Sequence, residues 1–335
     1  MPDDLILLTG ITGFIARRIA LDLLLAGYRV RGSVRSDRGI AALRDGLARH
    51  LPDPSLLDRL GFVTLNLDSD IGWPAAMEGV AALLHTASPF PLAQPRNEDA
   101  VIRPAVDGTL RALRAAQAAG VTRVVLTSSV EAVTHGSPTP VTEAHWSDLS
   151  APTISAYGRS KTLAERAAWD FAAAHPEMRL TVINPGMVLG TPVDGVTASS
   201  VSVVARFLAG RDPAVPDFAI PVVDVADVAA MHVAALDRPQ TIGQRYIAAD
   251  RAMRMPELTA VLKAAYPARR IPARTAPKLL MRLVALFDPA VRMVLPALGK
   301  PLSIDNSAAR RDFAMTFTPA RDAVLRTAAF LMAGR

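Results

Sequence analysis

Leu5–Tyr28 reads LILLTGITGFIARRIALDLLLAGY, and this stretch decides the fold. Leu5-Ile6-Leu7-Leu8 is a short apolar run, too short for a helix and the right length for a strand buried on both faces. It runs into Thr9-Gly10, and Gly13 and Ala16 follow at steps of three. The spacing then turns helical: Ile15, Ile19, Leu23 and Leu24 share one face, and Gly27 stands where a helix closes. Strand, glycine turn and helix in this order predict a dinucleotide cradle. Small residues admit the pyrophosphate to the backbone, and the free N–H groups of the helix start bind its charge. Thr9, Gly10, Thr12, Gly13, Phe14 and Ile15 are the candidate contacts. Ala16 occupies the place of a third glycine and is small enough for the same helix–strand packing.

The next strand, from Tyr28 to Arg35, bears on which dinucleotide. An NAD site usually has an acid about 20 residues past the glycines, on the ribose 2′-hydroxyl. Here no acid occurs before Asp37, and Arg31, Ser33, Arg35 and Arg38 fill the region. Guanidinium groups suit a 2′-phosphate through paired, charge-assisted hydrogen bonds, so NADP(H) is the expected cofactor.

Half of the 335 residues are apolar, enough to bury a sizeable core in one large domain or two. No apolar run approaches the roughly 20 residues of a membrane helix. The chain enters a strand at once, so neither an integral membrane segment nor a leader is expected. Cysteine is absent, which removes disulfides, thiol nucleophiles and cysteine zinc sites and fits a reducing cytoplasm. The six histidines lack metal-ligand spacing, so no metal is expected. The net charge of +6 is uneven, because residues 250–335 carry 15 Lys+Arg against 6 Asp+Glu. Without a dense basic run or interleaved aromatics, that third reads as a solvated face and not as a nucleic-acid surface.

The alternation of elements continues along the chain. Residues 36–59 read as helix and loop, and Phe62 to Leu67 as a third strand whose end offers Asn66 and Leu67 to an adenine edge. Val80 to Ala87 reads as a fourth strand delivering Thr86, Ala87 and Ser88, with Phe90 just beyond. A long helix over Asn97 to Gly120, a fifth strand over Val121 to Ser129 and a sixth over Leu180 to Asn184 follow. This order predicts an α/β fold with a doubly wound parallel Rossmann sheet, whose ligands bind at the carboxyl ends of the strands. Beyond about residue 190 the pattern becomes irregular and proline-rich. We therefore expect a dinucleotide-binding domain over 1–190, to which segments around 220–250 return, and a smaller substrate lobe over 191–335. Residues 276–287, APKLLMRLVALF, are expected to form a core or dimer helix, with a lid or a membrane-surface helix as alternatives.

Tyr157-Gly158-Arg159-Ser160-Lys161 opens a helix, and residues at i and i+4 share a face, so phenol and ammonium point the same way. A tyrosine hydroxyl, with a reference pKa of about 10, exchanges its proton poorly at neutral pH. A neighbouring ammonium is expected to lower that value, and the same lysine can hydrogen-bond a nicotinamide ribose. Ser129, at the end of the fifth strand, is placed to bind a substrate oxygen beside Tyr157. With four tyrosines and four lysines in the chain, chance gives such a spacing about 5% of the time. The other 33 basic residues are arginine, which makes a lysine at this position informative.

At this point the chain resembles the extended short-chain dehydrogenase/reductase family, and within it the dihydroflavonol-reductase and aldehyde-reductase-like group of the epimerase/dehydratase superfamily. The resemblance spans residues 5–250 and rests on TGITGFIA (9–16), VRGSVRS (30–36), HTASPF (85–90), LTSSVEAV (126–133), AHWSDL (144–149), YGRSKTLAERAAW (157–169), NPGMVLG (184–190) and VDVADVAAMHVAAL (223–236). It implies an NADP-dependent oxidoreductase of alcohol or carbonyl groups, with Ser129, Tyr157 and Lys161 as its catalytic triad. It also implies Arg35 on the 2′-phosphate, and Pro185 and Val188 beside the nicotinamide. Thr134 departs from the family, standing where flavonoid reductases carry a substrate-binding asparagine, and Gly190 is followed by Thr191 before Pro192.

Substrate contacts are expected from Phe90, Val130, Glu131, Thr134, Tyr157, Met187, Phe207 and Phe218. They are mostly apolar, which points to a hydrophobic aldehyde or ketone as the small-molecule partner; Glu131 either meets a polar substrate group or faces solvent. The leading expectation is a carbonyl reductase. A sugar-nucleotide epimerase or dehydratase and a 3β-hydroxysteroid dehydrogenase are alternatives within the fold, and a non-catalytic NADP-binding redox sensor is one from another class. A homodimer is compatible with all of them.

Overall fold

The computed structural model describes residues 3–88, 97–287 and 294–334. Phe90 lies outside the described residues.

The first strand, β1 (Leu5–Thr9), pairs with β2 (Arg29–Val34) on one side and β4 (Ala82–His85) on the other. Outside β2 lies β3 (Leu60–Thr64); outside β4 lie β5 (Arg123–Thr127), β6 (Arg179–Pro185) and β9 (Gln244–Ala248). All six pairings in this seven-stranded sheet are parallel. The chain steps outward from β1 to β3, then crosses back to β4, so the strand order reverses beside β1. A crevice opens there at the carboxyl ends.

Helix α1 (Phe14–Leu25) follows the glycine turn and buries Ile19, Leu23 and Leu24 completely. Its last turn ends at Ala26, and Gly27 adopts φ +85°, a left-handed conformation that suits glycine. On the other side of the sheet, α4 (Asp99–Ala118) and α5 (Ala156–Ala174) pack together. A second sheet is built from β7 (Met187–Leu189), β8 (Ala219–Asp224) and β10 (Arg251–Arg254), in the order β10-β8-β7. Its own core gathers Met187, Phe207, Met253, Leu258 and Val324. Helix α7 (Val225–Leu236) returns from this sheet to pack on α1.

Several ends differ from those expected. The third strand stops at Thr64, because the Asn66 side chain accepts a hydrogen bond from the Asp68 N–H and turns the chain. The fourth begins only at Ala82, since the Val80 N–H is still bonded to Met77 at the end of a short helix. The fifth stops at Thr127: Ser129 instead caps the 3-10 turn Val130–Ala132, its oxygen accepting from the Glu131 N–H at 3.2 Å. Residues 276–287 are not a core helix. The short helix Lys278–Val284 and the turn after it bury Met281 and Ala285, and leave Leu279, Leu283, Leu286 and Phe287 exposed.

Gly186 joins the two sheets, donating its N–H to Ala248 O at 3.1 Å. A Cβ at this position would stand 2.4 Å from the Pro221 carbonyl oxygen, which is backbone and cannot swing away. Gly186→Ala is expected to lower stability by about 1–3 kcal/mol, the range for overpacking. Urea melts of the two proteins check this, and coincident midpoints would contradict it.

Candidate active site

The glycine turn leads into a helix start that no side chain caps. Gly10 has φ +67°, donates its N–H to Ser33 Oγ at 2.9 Å, and would bring a Cβ to 3.0 Å from that of Ala87. The N-cap of α1 is Gly13, an exposed residue with no side chain to cap the helix. The N–H groups of the first helical turn, at Phe14, Ile15 and Ala16, are therefore left for an anion. Thr12 and Ile15 are half-buried beside it.

Thr9 ties this turn to the loop after β4. Its Oγ1 accepts from the N–H groups of both Thr86 and Ala87 at 3.1 Å. Its own proton then goes to His85 Nδ1, 2.9 Å away, which leaves the proton of the neutral ring on Nε2. The hydroxyl of Thr86 donates back to Thr9 O. At the end of β2 the arginines separate by task. Arg31 donates to the carbonyls of Ala75, Ala76 and Glu78, closing a short helix, whereas Arg35 and Arg38 are exposed. Asn66 is exposed and Leu67 half-buried at the end of β3, where Leu67 packs against Gly108 of α4.

Ser129, Tyr157 and Lys161 come together at the carboxyl edge. The Ser155 side chain caps α5 by accepting from the Gly158 N–H at 2.9 Å, which sets Tyr157 in the first turn. The Ser129 hydroxyl hydrogen-bonds the Tyr157 phenol. Lys161 Nζ lies 5.9 Å from the centroid of the Tyr157 ring and donates to Thr127 O at 3.4 Å. Lys161 and Ser88 line one small pocket.

One electrostatic expectation is overturned. The phenol of Tyr157 is pushed up, not down, because burial outweighs the rest and the Glu131 carboxylate adds to it; the Ser129 hydrogen bond opposes both. Burial also pulls the Lys161 ammonium down, to about 8, against the attraction of Glu165. Glu131 faces neither solvent nor open space alone. It accepts from or pairs with His135 Nε2 at 2.9 Å, beside the start of α5.

A buried network stands behind the three residues. Glu165 Oε2 accepts from Ser128 Oγ at 2.5 Å and from Asn184 Nδ2 at 2.7 Å. Glu165 Oε1 pairs with Arg245 at 2.7 Å, and Asn184 also donates to Ser129 O at 3.1 Å. In the sequence, Ser128, Glu165 and Asn184 fall within the family-like motifs without a task of their own, and Arg245 falls in none of them. Glu165 is four residues past Lys161, so helical spacing alone put it on the catalytic face.

The remaining candidates are scattered. Val130 opens the 3-10 turn and is buried, and the Thr134 hydroxyl donates to Val130 O at 3.0 Å. Pro185, Met187 and Val188 are buried where β6 passes into β7. Phe207 is packed in the core of the small sheet, with Phe218 half-buried against the same cluster.

Comparisons with known proteins bear on this arrangement. The model of the NAD dependent epimerase/dehydratase family matches residues 6–249. The chain belongs to that family. Within it the chain is of the extended short-chain dehydrogenase/reductase type, and its relatives include named reductases. The chain is 33% identical over 277 residues to cinnamoyl-CoA reductase 2 of Arabidopsis thaliana, covering 81% of this chain and 80% of that one. It is 31% identical to tetraketide alpha-pyrone reductase 2 of the same plant, covering 78% and 82%. Yeast methylglyoxal/isovaleraldehyde reductase Gre2, solved with NADPH, shares the fold at a TM-score of 0.80 and 24% identity, covering 98% of each chain. Gre2 of Candida albicans with NADPH gives 0.79 at 25% identity, covering 99% of each.

This family member keeps two buried histidines neutral. His232 of α7 donates from Nδ1 to Val228 O at 2.7 Å and accepts from Thr127 at Nε2, also at 2.7 Å. Burial pulls its pKa from 6.5 to about 4, and that of His85 to about 3 with help from Lys161. Below pH 6.5 the unfolded chain gains protons that the folded one refuses, so stability is full above 6.5 and declines as pH falls. Denaturant melts should show a loss between pH 7 and 5.5, with a limiting slope of about 2.7 kcal/mol per pH unit for two protons. A flat stability across that window would count against two neutral buried imidazoles.

Proposed function

We propose that this protein is an NADPH-dependent carbonyl reductase that reduces a hydrophobic aldehyde or ketone, with Tyr157 as general acid. The observation that carries the reading is the buried Ser129–Tyr157 hydrogen bond with Lys161 one turn further along α5, at the sheet edge beside an open glycine turn. The reductase relatives and the NADPH of the two Gre2 structures support the class and the cofactor.

The cradle fits such a cofactor. The uncapped start of α1 would hold the pyrophosphate, Arg35 the 2′-phosphate and Lys161 the ribose, with Pro185 and Val188 beside the nicotinamide. NADPH would supply the hydride that reaches the carbonyl carbon. Tyr157 then donates its proton to the oxygen that becomes negative. Its raised pKa keeps the phenol protonated at neutral pH, which is the form a reduction needs. Ser129 binds the same oxygen, and the Lys161 ammonium stabilises the phenolate left behind.

The test is oxidation of NADPH and NADH, side by side at pH 7, against aromatic and aliphatic aldehydes, ketones and a 3-ketosteroid. Carbonyl-dependent loss of NADPH is expected, and Tyr157→Phe should reduce kcat by about 10²–10⁴ with NADPH affinity nearly unchanged. Full activity in that variant would sink the assignment. Arg35→Ala removes charge-assisted bonds of about 1.5–3 kcal/mol, so KM for NADPH should rise about 10- to 100-fold while KM for NADH barely moves. Equal effects on both cofactors would place the 2′-phosphate elsewhere.

A further inference from the structure

Glu165 is a carboxylate whose side chain is wholly buried one turn beyond Lys161, and both residues line the same pocket. Three elements meet on it. Ser128 reaches it from the end of β5, Asn184 from β6 and Arg245 from β9. Asn184 extends the link to the carbonyl of Ser129, and Trp169 Nε1 donates to Glu165 Oε1 at 3.3 Å. The guanidinium of Arg245 is itself fixed. It stacks 3.8 Å from the Trp146 ring centroid and donates to the carbonyls of Glu143 and His145. A buried carboxylate with one cation and three neutral donors is held in one place.

We propose that Glu165, clamped by Arg245, is a positioning residue that locks the Ser129 loop onto α5 and keeps the Lys161 amine protonated at neutral pH. The task ascribed to the triad rests on the function proposed above; the charge on Lys161 does not. Arg245 pairs with Glu165 from β9, while Lys161 stands one turn before it on α5, in the lining of the same pocket. Among the described residues, the other groups facing Lys161 do not supply a negative charge. His85 at the end of β4 is neutral, Tyr157 is a protonated phenol, Thr127 offers a carbonyl and Thr109 of α4 lines the pocket. Glu131, on the 3-10 turn after β5, acts on the phenol and is paired with His135. Glu165 also offsets the burial that draws Lys161 down to about 8.

The chain has four lysines, so protein carrying ¹³C-lysine gives few side-chain resonances, and Lys161→Arg assigns one of them. In the protein without cofactor or substrate, the Lys161 signal should titrate near pH 8. In Glu165→Gln, which keeps the shape but not the charge, it should titrate at least about one pH unit lower, a tenfold loss of proton affinity. The alkaline limb of kcat/KM should move down by the same amount. If that variant fails to fold, Glu165→Gln/Arg245→Gln, which leaves no arginine stranded beside a neutral amide, must show a shift in the same direction, smaller because the loss of the Arg245 cation opposes it. An unmoved Lys161 midpoint in a folded variant, even with activity reduced at every pH, would overturn the proposal and leave Glu165 a packing residue. Absence of carbonyl reduction by the wild type would overturn the function proposed above and leave the titration to decide this inference.

Discussion

The Thr9 hydroxyl holds the crevice together. Both its lone pairs are taken by the N–H groups of Thr86 and Ala87, and its proton by His85. One side chain therefore fixes the glycine turn after β1 against the loop after β4, at the place where the strand order reverses. The close approach of Gly10 to Ala87 follows from that link, and a larger residue at either position would push the two strand ends apart. An anion-binding turn is useful only if the catalytic groups stand at a fixed distance from it. Sheet register passes that constraint outward, from β1 through β4 to β5 and β6.

Charge is concentrated inside the protein at the other end of this path. A lysine, a glutamate and an arginine are buried within a few residues of the site, an arrangement that contributes little net stability compared with apolar packing. Removing one member leaves an uncompensated charge at a cost of about 3–5 kcal/mol. Such a cluster is hard to explain as a device for stability. It accords with a site that must hold an ammonium in a poorly solvated place beside a phenol that stays protonated until a proton is needed.

Much of this was legible in the sequence. Short apolar runs alternating with helical spacing gave the parallel sheet, and the Leu5–Tyr28 stretch gave the cradle, because strand and helix periods are set by backbone geometry. Tyr157 and Lys161 were found together since i,i+4 spacing survives folding unchanged. What was missed depends on contacts far apart in the chain. The pairing of Arg245 with Glu165 spans 80 residues, and Arg31 closes a helix 44 residues away. The strand ends were misplaced where side chains of Asn66 and Ser129 captured backbone N–H groups, a local competition that hydrophobic pattern does not register. The pKa of Tyr157 goes the other way because burial and the Glu131 carboxylate, neither legible in sequence, outweigh the Ser129 hydrogen bond.

The central claim is that hydride leaves the cofactor for good and ends on a substrate carbon. The direct measurement uses NADPH deuterated at C4, in two samples labelled on opposite faces, each supplied with a hydrophobic aldehyde that the protein consumes. The account predicts that one sample passes its deuterium to the carbinol carbon of the alcohol, one label for each NADPH oxidised, and the other passes none. Retention of the label in the cofactor from both samples, with no label in the alcohol, would contradict it.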